Sequence, residues 1–381
     1  MHILHVYKDY FPVVGGIENH IRALAEALAR RGHTVTVLVT GRGPRTTEAE
    51  INGVRVIKAG RLATVASTPL SPDFARRLAA LRPDLTHLQS PYPVGELAQW
   101  LAGRGRPYVV SYQADVTRTS QRLIMGLYGP LFRAILGRAA RVLATTPNFA
   151  RTSPYLRHVA DRIRVVPLGV DVNRFAPDGP ALVDAPADGA GTLLFVGQLR
   201  HYKGVDDLLR ALPAVPGKPR LLIAGDGPLR AEWQALSASL GLAERVRFLG
   251  NVPDADLPAL YRSADVFVLP STSRAESFGT VLVEAMASGR PCLTTEIGTG
   301  TSYVVQDMLT GRVVPPRAPE ALAAALGQLL ADPGWRAQLG AAGRARALAE
   351  FTLATMVDRV ERVYVEALVP RPSRIEGPAS R

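Results

Sequence analysis

Two carboxylates beside a glycine are the first residues of this chain that could do chemistry. Glu276 and Glu284, with seven residues between them, lie in Ser-Thr-Ser-Arg-Ala-Glu-Ser-Phe-Gly-Thr-Val-Leu-Val-Glu-Ala-Met-Ala-Ser-Gly-Arg, Ser271 to Arg290. The preceding apolar run, Ala264 to Pro270, has the length and β-branched content of a buried parallel strand. Thr280 to Ser288 then reads as a short helix closed by Gly289 and stopped by Pro291. A helix start offers unpaired N–H groups, so Phe278, Gly279 and Thr280 can hold a phosphate, and Gly279 has no Cβ to obstruct its approach. Carboxylates beside an anion site need hydroxyl donors instead. A sugar-nucleotide has hydroxyls on both sides of its diphosphate, ribose on one and hexose on the other. The plainer alternative, two solvated glutamates on a loop and a helix, lacks any use for the glycine and the strand around them.

A second candidate is Lys203, in Gly197-Gln198-Leu199-Arg200-His201-Tyr202-Lys203-Gly204, between a strand and a helix. There an ammonium can rest on a diphosphate as a point charge, whereas an isolated lysine would be solvated. Lys203, Gly225, Asn251, Glu276 and Phe278 all fall in loops at the carboxyl ends of expected strands, which is where open parallel sheets bind ligands.

The positioning elements alternate strand and helix. His2–Tyr7, a loop ending Val14-Gly15-Gly16, a helix with Ile17, Ile21, Leu24 and Leu28 on one side, and Thr34–Thr40 form a βαβ unit with a parallel sheet. Strands follow near Val54–Ala59, Leu85–Gln89, Tyr108–Tyr112, Val142–Thr145 and Ile163–Pro167. Helices are expected near Asp73–Leu81, Val94–Ala102 and Pro147–Arg157. The pattern restarts at Thr192. The expected organisation is α/β with two Rossmann-like domains whose parallel sheets face a central cleft. Their bounds are 1–168 for the first domain, 169–191 for a linker and 192–351 for the second. A helix is expected over 352–369, and 370–381, rich in Pro and Arg, is expected to be disordered. The glycine pair is not Gly-x-Gly-x-x-Gly, so a dinucleotide fingerprint is absent.

Length and composition agree. A chain of 381 residues with 47% hydrophobic residues suits two domains. No window approaches the ~20 apolar residues of a membrane span, and the first residues begin a strand rather than a signal segment. Cys292 is the single cysteine, expected to be a small buried hydrophobe. These features point to a cytoplasmic protein. The net charge of +12 invites anionic partners. No nucleic-acid module appears, so nucleic acid is not expected among them. Arg118 to Arg141 interleaves Leu123, Ile124, Leu127, Leu131, Phe132, Ile135 and Leu136 with arginines, and Pro130 divides it into two helices. It reads either as a peripheral contact with the anionic inner face of the cytoplasmic membrane or as a core-facing pair with a solvated arginine face.

Glu276, Glu284 and the residues around them resemble the signature of retaining GT-B glycosyltransferases of the group-1 class, family 4. Thr295-Glu296-Ile297-Gly298-Thr299-Gly300-Thr301-Ser302-Tyr303 resembles a branch of mannosyl- and rhamnosyltransferases of bacterial surface polysaccharides. The likeness runs from about residue 1 to about residue 368, and it implies that 1–168 binds the acceptor, that 192–351 binds the nucleotide-sugar and that the helix over 352–369 crosses back to the first domain. It implies hexose transfer from a nucleotide-sugar, GDP-mannose by branch, to a hydroxyl of a glycan or lipid-linked acceptor, with neither cofactor nor metal. It places Glu276 on the sugar, Glu284 on the ribose, Lys203 on the leaving diphosphate, Gly16 and Gly15 opposite it, and Asn251 and Val252 by the base. Gln198 stands where the family usually has arginine, which leaves the clamp to Arg200 or another basic residue. Gln113 stands where a histidine near the transferred sugar is common, and Gln89 replaces the second histidine of a pair begun by His87. An amide there can hydrogen-bond a hydroxyl but cannot titrate. A sugar-nucleotide-binding accessory protein with little turnover and a GT-B sugar-nucleotide epimerase are the alternatives. His5 and His87 lack metal-ligand spacing and are expected to be packed.

Overall fold

The computed structural model describes residues 1–13, 15–65, 68–103, 105–115, 119–187 and 189–369. Runs such as Tyr-Val-Val-Ser-Tyr and Thr-Leu-Leu-Phe-Val become central strands with every side chain buried, as expected where helices cover both faces of a parallel sheet.

Among the described residues, eight strands form the first sheet. From one edge they are Ile163–Val165, Arg141–Ala144, Tyr108–Tyr112, Leu85–Ser90, His2–Val6, Thr34–Thr40, Val54–Ala59 and Thr47–Ile51. All pairs are parallel except the last, where Thr47–Ile51 runs antiparallel to Val54–Ala59. Six parallel strands form the second sheet, in the order Val246–Gly250, Arg220–Ala224, Thr192–Val196, Val266–Leu269, Cys292–Thr295 and Gly311–Val314. The chain is α/β, with two Rossmann-like halves of GT-B type.

Each sheet has its own core. The first gathers residues from Ile3 to Val166 and then Met356, Val357, Val360, Val363, Tyr364 and Ala367 of the last helix, Leu353–Leu368. The second extends from Leu168 to Phe351. The chain thus passes between the lobes twice, and the two passages lie side by side. Val170 N–H donates to the Phe351 carbonyl and Leu353 N–H to the Val170 carbonyl, both at 2.9 Å. Gly169 fits there because a Cβ would run into the Thr352 backbone. Tyr364 hydroxyl meets His87 Nδ1 at 2.7 Å, and Ser111 hydroxyl meets His87 Nε2 at 2.8 Å, so the returning helix is also pinned by polar contacts. His87 and His5 are buried, and burial holds both imidazoles well below their usual pKa, His5 at about 3.

Two expectations need correction. Thr119–Arg138 is one helix with Pro130 inside it, not two. Proline removes one N–H donor, while Phe132, Ile135 and Leu136, buried in the first core, hold the helix in place. Those three side chains belong to the core rather than to an interfacial face. Arg138 stacks on Trp100 with its guanidinium carbon 3.9 Å from the ring centroid, and Arg141 pairs with Glu366 at 2.9 Å. Arg118, the side chains of 119–127 and the tail 370–381 lie outside the described residues. Also, Pro147–Arg157 is shorter than expected: the α-helix is Pro147–Thr152, and a 3-10 segment, Leu156–Arg162, follows.

Candidate active site

The strand Val266–Leu269 leads through a loop to the helix Thr280–Ala287, as its sequence dictates. Gly279 caps that helix at φ 83°, a left-handed conformation open to glycine. Phe278 is buried and packs against Phe351 with centroids 6.0 Å apart, so this residue can offer a ligand only its backbone. Glu276 lies in the loop. Its carbonyl accepts from Thr299 Oγ1 at 2.6 Å, which ties the loop to the segment after Cys292–Thr295.

Lys203 closes a 3-10 turn, His201–Lys203, after the strand Thr192–Val196. Its Nζ lies 2.6 Å from Glu276 Oε2, and the two side chains are only 10% and 12% exposed. Burial works against the ammonium, but the adjoining carboxylate outweighs it, and the lysine pKa is raised. Two further contacts stitch these loops together. Thr272 N–H donates to the Tyr202 carbonyl at 2.8 Å. Gly204, at φ 65°, leaves no space for a Cβ beside the Pro270 carbonyl. The fold therefore brings the candidate cation and the first of the two candidate acids into one buried pair.

Glu284 projects from the helix toward Tyr261, whose hydroxyl donates to Oε2 at 2.6 Å. Burial lifts the Glu284 carboxyl to about 7, against the Tyr261 hydrogen bond and the Arg174 charge, which favour ionisation. Arg174 pairs with Asp254 at 2.9 Å in the loop that also carries Asn251 and Val252. Asn251 is exposed, and Val252 is half-buried against the second core. Arg200 Nε donates to Gln198 Oε1 at 2.9 Å, so the guanidinium is tethered where the family pattern has its own arginine.

In the first lobe, Gly15 caps the helix Gly16–Arg30 after the strand His2–Val6. A Cβ on Gly16 would meet open space, while one on Gly15 would strike the Glu18 carboxylate. Gln113 follows Tyr108–Tyr112. Its Nε2 donates to Gln89 Oε1 at 2.6 Å, and both residues are buried. The two glutamines, each at a position where the resembled family commonly has histidine, thus bond to each other. Across the cleft, Arg274 of the Glu276 loop pairs with Asp115 at 2.9 Å. Neither Arg274, Asp115 nor Tyr261 was singled out from sequence. Asp115 lies two residues past Gln113, but nothing in local spacing shows a partner 159 residues away.

The profile "Glycosyl transferases group 1" matches residues 184–346, and "Glycosyltransferase Family 4" matches residues 14–174. The chain is similar to D-rhamnosyltransferase WbpZ of Pseudomonas aeruginosa, with 36% identity over 92% of each chain. It is also similar to O-antigen chain mannosyltransferase C of Escherichia coli, with 32% identity over 97% of this chain and 99% of that one. Among solved structures, sucrose-phosphate synthase from Thermosynechococcus elongatus superposes with a TM-score of 0.79 at 25% identity, covering 96% of this chain and 98% of that one. With both halves matched in order and relatives above 30% identity along nearly the whole chain, the chain belongs to the family 4, group-1 glycosyltransferases of GT-B fold.

Proposed function

We propose that this glycosyltransferase moves a hexose from a nucleotide-sugar, GDP-mannose first among candidates, to a hydroxyl of a glycan or lipid-linked acceptor with retention. The Lys203–Glu276 pair carries the reading. It is buried at the carboxyl ends of two adjacent strands, with Glu284 one turn into the helix that follows. Donor diphosphate takes the Lys203 ammonium and the amides at Phe278, Gly279 and Thr280, with Gly15 and Gly16 opposite and Arg200 on its flank. Glu276, released from the ammonium, accepts from sugar hydroxyls. Glu284 accepts from the ribose, and the Asn251–Val252 loop borders the base. Gln113 holds a sugar hydroxyl without titrating. In a front-face displacement the bond from the anomeric carbon to the diphosphate breaks. The acceptor oxygen bonds to the same face, and its proton passes to a donor phosphate oxygen, so the step requires no metal. The names of the relatives, a rhamnosyltransferase and an O-antigen mannosyltransferase, support a surface-polysaccharide acceptor. A lipid-linked acceptor would place this basic protein peripherally on the inner face of the membrane. No described helix is long and apolar enough to cross one.

A thermal-shift screen of GDP-, UDP- and dTDP-sugars identifies the donor, since a ligand at about a hundred times its dissociation constant stabilises the fold by ~2.7 kcal/mol. Hydrogen bonds to a charged group contribute about 1.5–3 kcal/mol, so Glu284→Ala should weaken donor binding by roughly one to two decades. Unchanged affinity in isothermal titration would remove Glu284 from the ribose. The buried Gln113–Gln89 bond favours a second reading, a sugar-nucleotide-binding accessory protein with little turnover. Nucleoside diphosphate release that appears only in Gln113→His would establish it.

A further inference from the structure

Arg274 stands two residues before Glu276 on the same loop, yet its guanidinium is shared with the first lobe. Nε and Nη2 donate to Asp115 Oδ2 at 3.1 and 2.9 Å. Nη1 donates to Thr152 Oγ1 at 2.9 Å and to the Gly298 carbonyl at 3.0 Å. Asp115 is held from behind, because its Oδ1 accepts from Tyr112 hydroxyl at 2.9 Å and Ser153 Oγ at 2.7 Å. The Asp115 side chain is only 7% exposed, so this is not a solvated rim contact. Each end of the bridge is continuous with the site. Asp115 lies two residues beyond Gln113. The Glu276 N–H donates to the Ser273 carbonyl at 3.1 Å, so movement of Arg274 moves the turn that aims Glu276.

We propose that Arg274 and Asp115 form a positioning pair for glycosyl transfer. Together they set the separation of the lobes and align the donor-side loop with the first-lobe strand end bearing Gln113. The planar fork of arginine explains the residue type. Three nitrogens held in one plane make four hydrogen bonds to a carboxylate, a hydroxyl and a carbonyl, whereas an ammonium has three donors on a single nitrogen at the end of a flexible stem. The proposal rests on the reading that Glu276 and Lys203 hold the donor, and it acts through them rather than on the reacting atoms.

The test uses the full chain with dyes at Glu50→Cys and Glu320→Cys, both exposed and one in each lobe; the native Cys292 is buried. Energy transfer between the dyes is compared for this parent, Arg274→Gln, Arg274→Lys, Asp115→Asn and the Arg274→Gln/Asp115→Asn double variant, all checked for a cooperative melt. Both single losses of charge should lower or broaden the transfer efficiency, the double variant should go no further, and Arg274→Lys should restore only part. Titration with GDP and UDP should give affinities within about twofold of the parent, while turnover falls about a hundredfold, as expected when reacting groups are misplaced by about 1 Å. Transfer efficiency unchanged in both single variants overturns the lobe-setting role. Nucleotide affinity that falls in step with turnover overturns it too, by making Arg274 a donor ligand. A parent that binds neither nucleotide defeats the donor reading instead, and the fluorescence still reports on the lobes.

Discussion

A carboxyl poised near neutrality, as Glu284 is at about 7, makes affinity depend on pH where an ordinary glutamate at 4.5 would not. Its shift is upward, so between those values the folded chain keeps a proton that the unfolded chain has released. Stability from this group therefore falls as pH rises through that window. A ribose hydroxyl favours the carboxylate, so binding expels the proton. Nucleotide affinity should rise from about pH 6 to about pH 8, by up to about tenfold per unit on the acid side, and Glu284→Gln should flatten the profile. Calorimetry at several pH values decides this, and a flat profile in the parent removes Glu284 from the ribose. Tyr261→Phe takes away the donor that favours ionisation. It should move the midpoint upward and cost about 1–3 kcal/mol in a denaturant melt. The buried Lys203–Glu276 pair separates folding from function in another way. Lys203→Met leaves a buried carboxylate uncompensated, at a cost of about 3–5 kcal/mol, while Lys203→Met/Glu276→Leu should recover most of that without recovering turnover. Of these residues, Glu276 and Lys203 were legible because glycines and strands mark their loops, and Glu284 because a short helix follows Gly279. Tyr261 and Arg274 were not, since a hydroxyl on a helix face and an arginine in a loop acquire meaning only from what the fold sets opposite them.

Helices and strands with a strong apolar period were readable to within a residue or two. The crossover Leu353–Leu368, expected over 352–369, and the buried strands of both sheets are of this kind. Thr47–Ile51 escaped because Thr-Glu-Ala-Glu-Ile is an exposed antiparallel edge with no apolar run, and Gly311–Val314 because it is an edge strand opened by glycine. The tract that forms Pro319–Ala331 and Pro333–Glu350 is so rich in alanine that neither face stands out. Pro130 misled in the opposite direction, as a local breaker overruled by packing. Replacing it restores one helical hydrogen bond without disturbing the core. Pro130→Ala should raise the melting temperature, with a gain of at most about 3 kcal/mol. Gly204→Ala should do the reverse. The left-handed backbone and the Pro270 carbonyl together force the Lys203 turn away from the Glu276 loop, and nucleotide affinity should drop with stability.

At the scale of the whole molecule, two cores are joined by paired passages, and the last helix completes the first core from the far end of the chain. Past the outgoing passage and Phe175 the chain comes to the surface, and Asp178 to Pro180 are exposed. A protease that nicks it there should therefore leave the halves fastened by the returning helix, whose Val360, Val363 and Tyr364 are sunk in the first core. The clipped protein should elute as one particle on a sizing column and still bind nucleotide, and fall into two pieces only in denaturant. Such a hinge, with a spare strap, lets the enzyme lose a covalent tie between its lobes without losing either lobe.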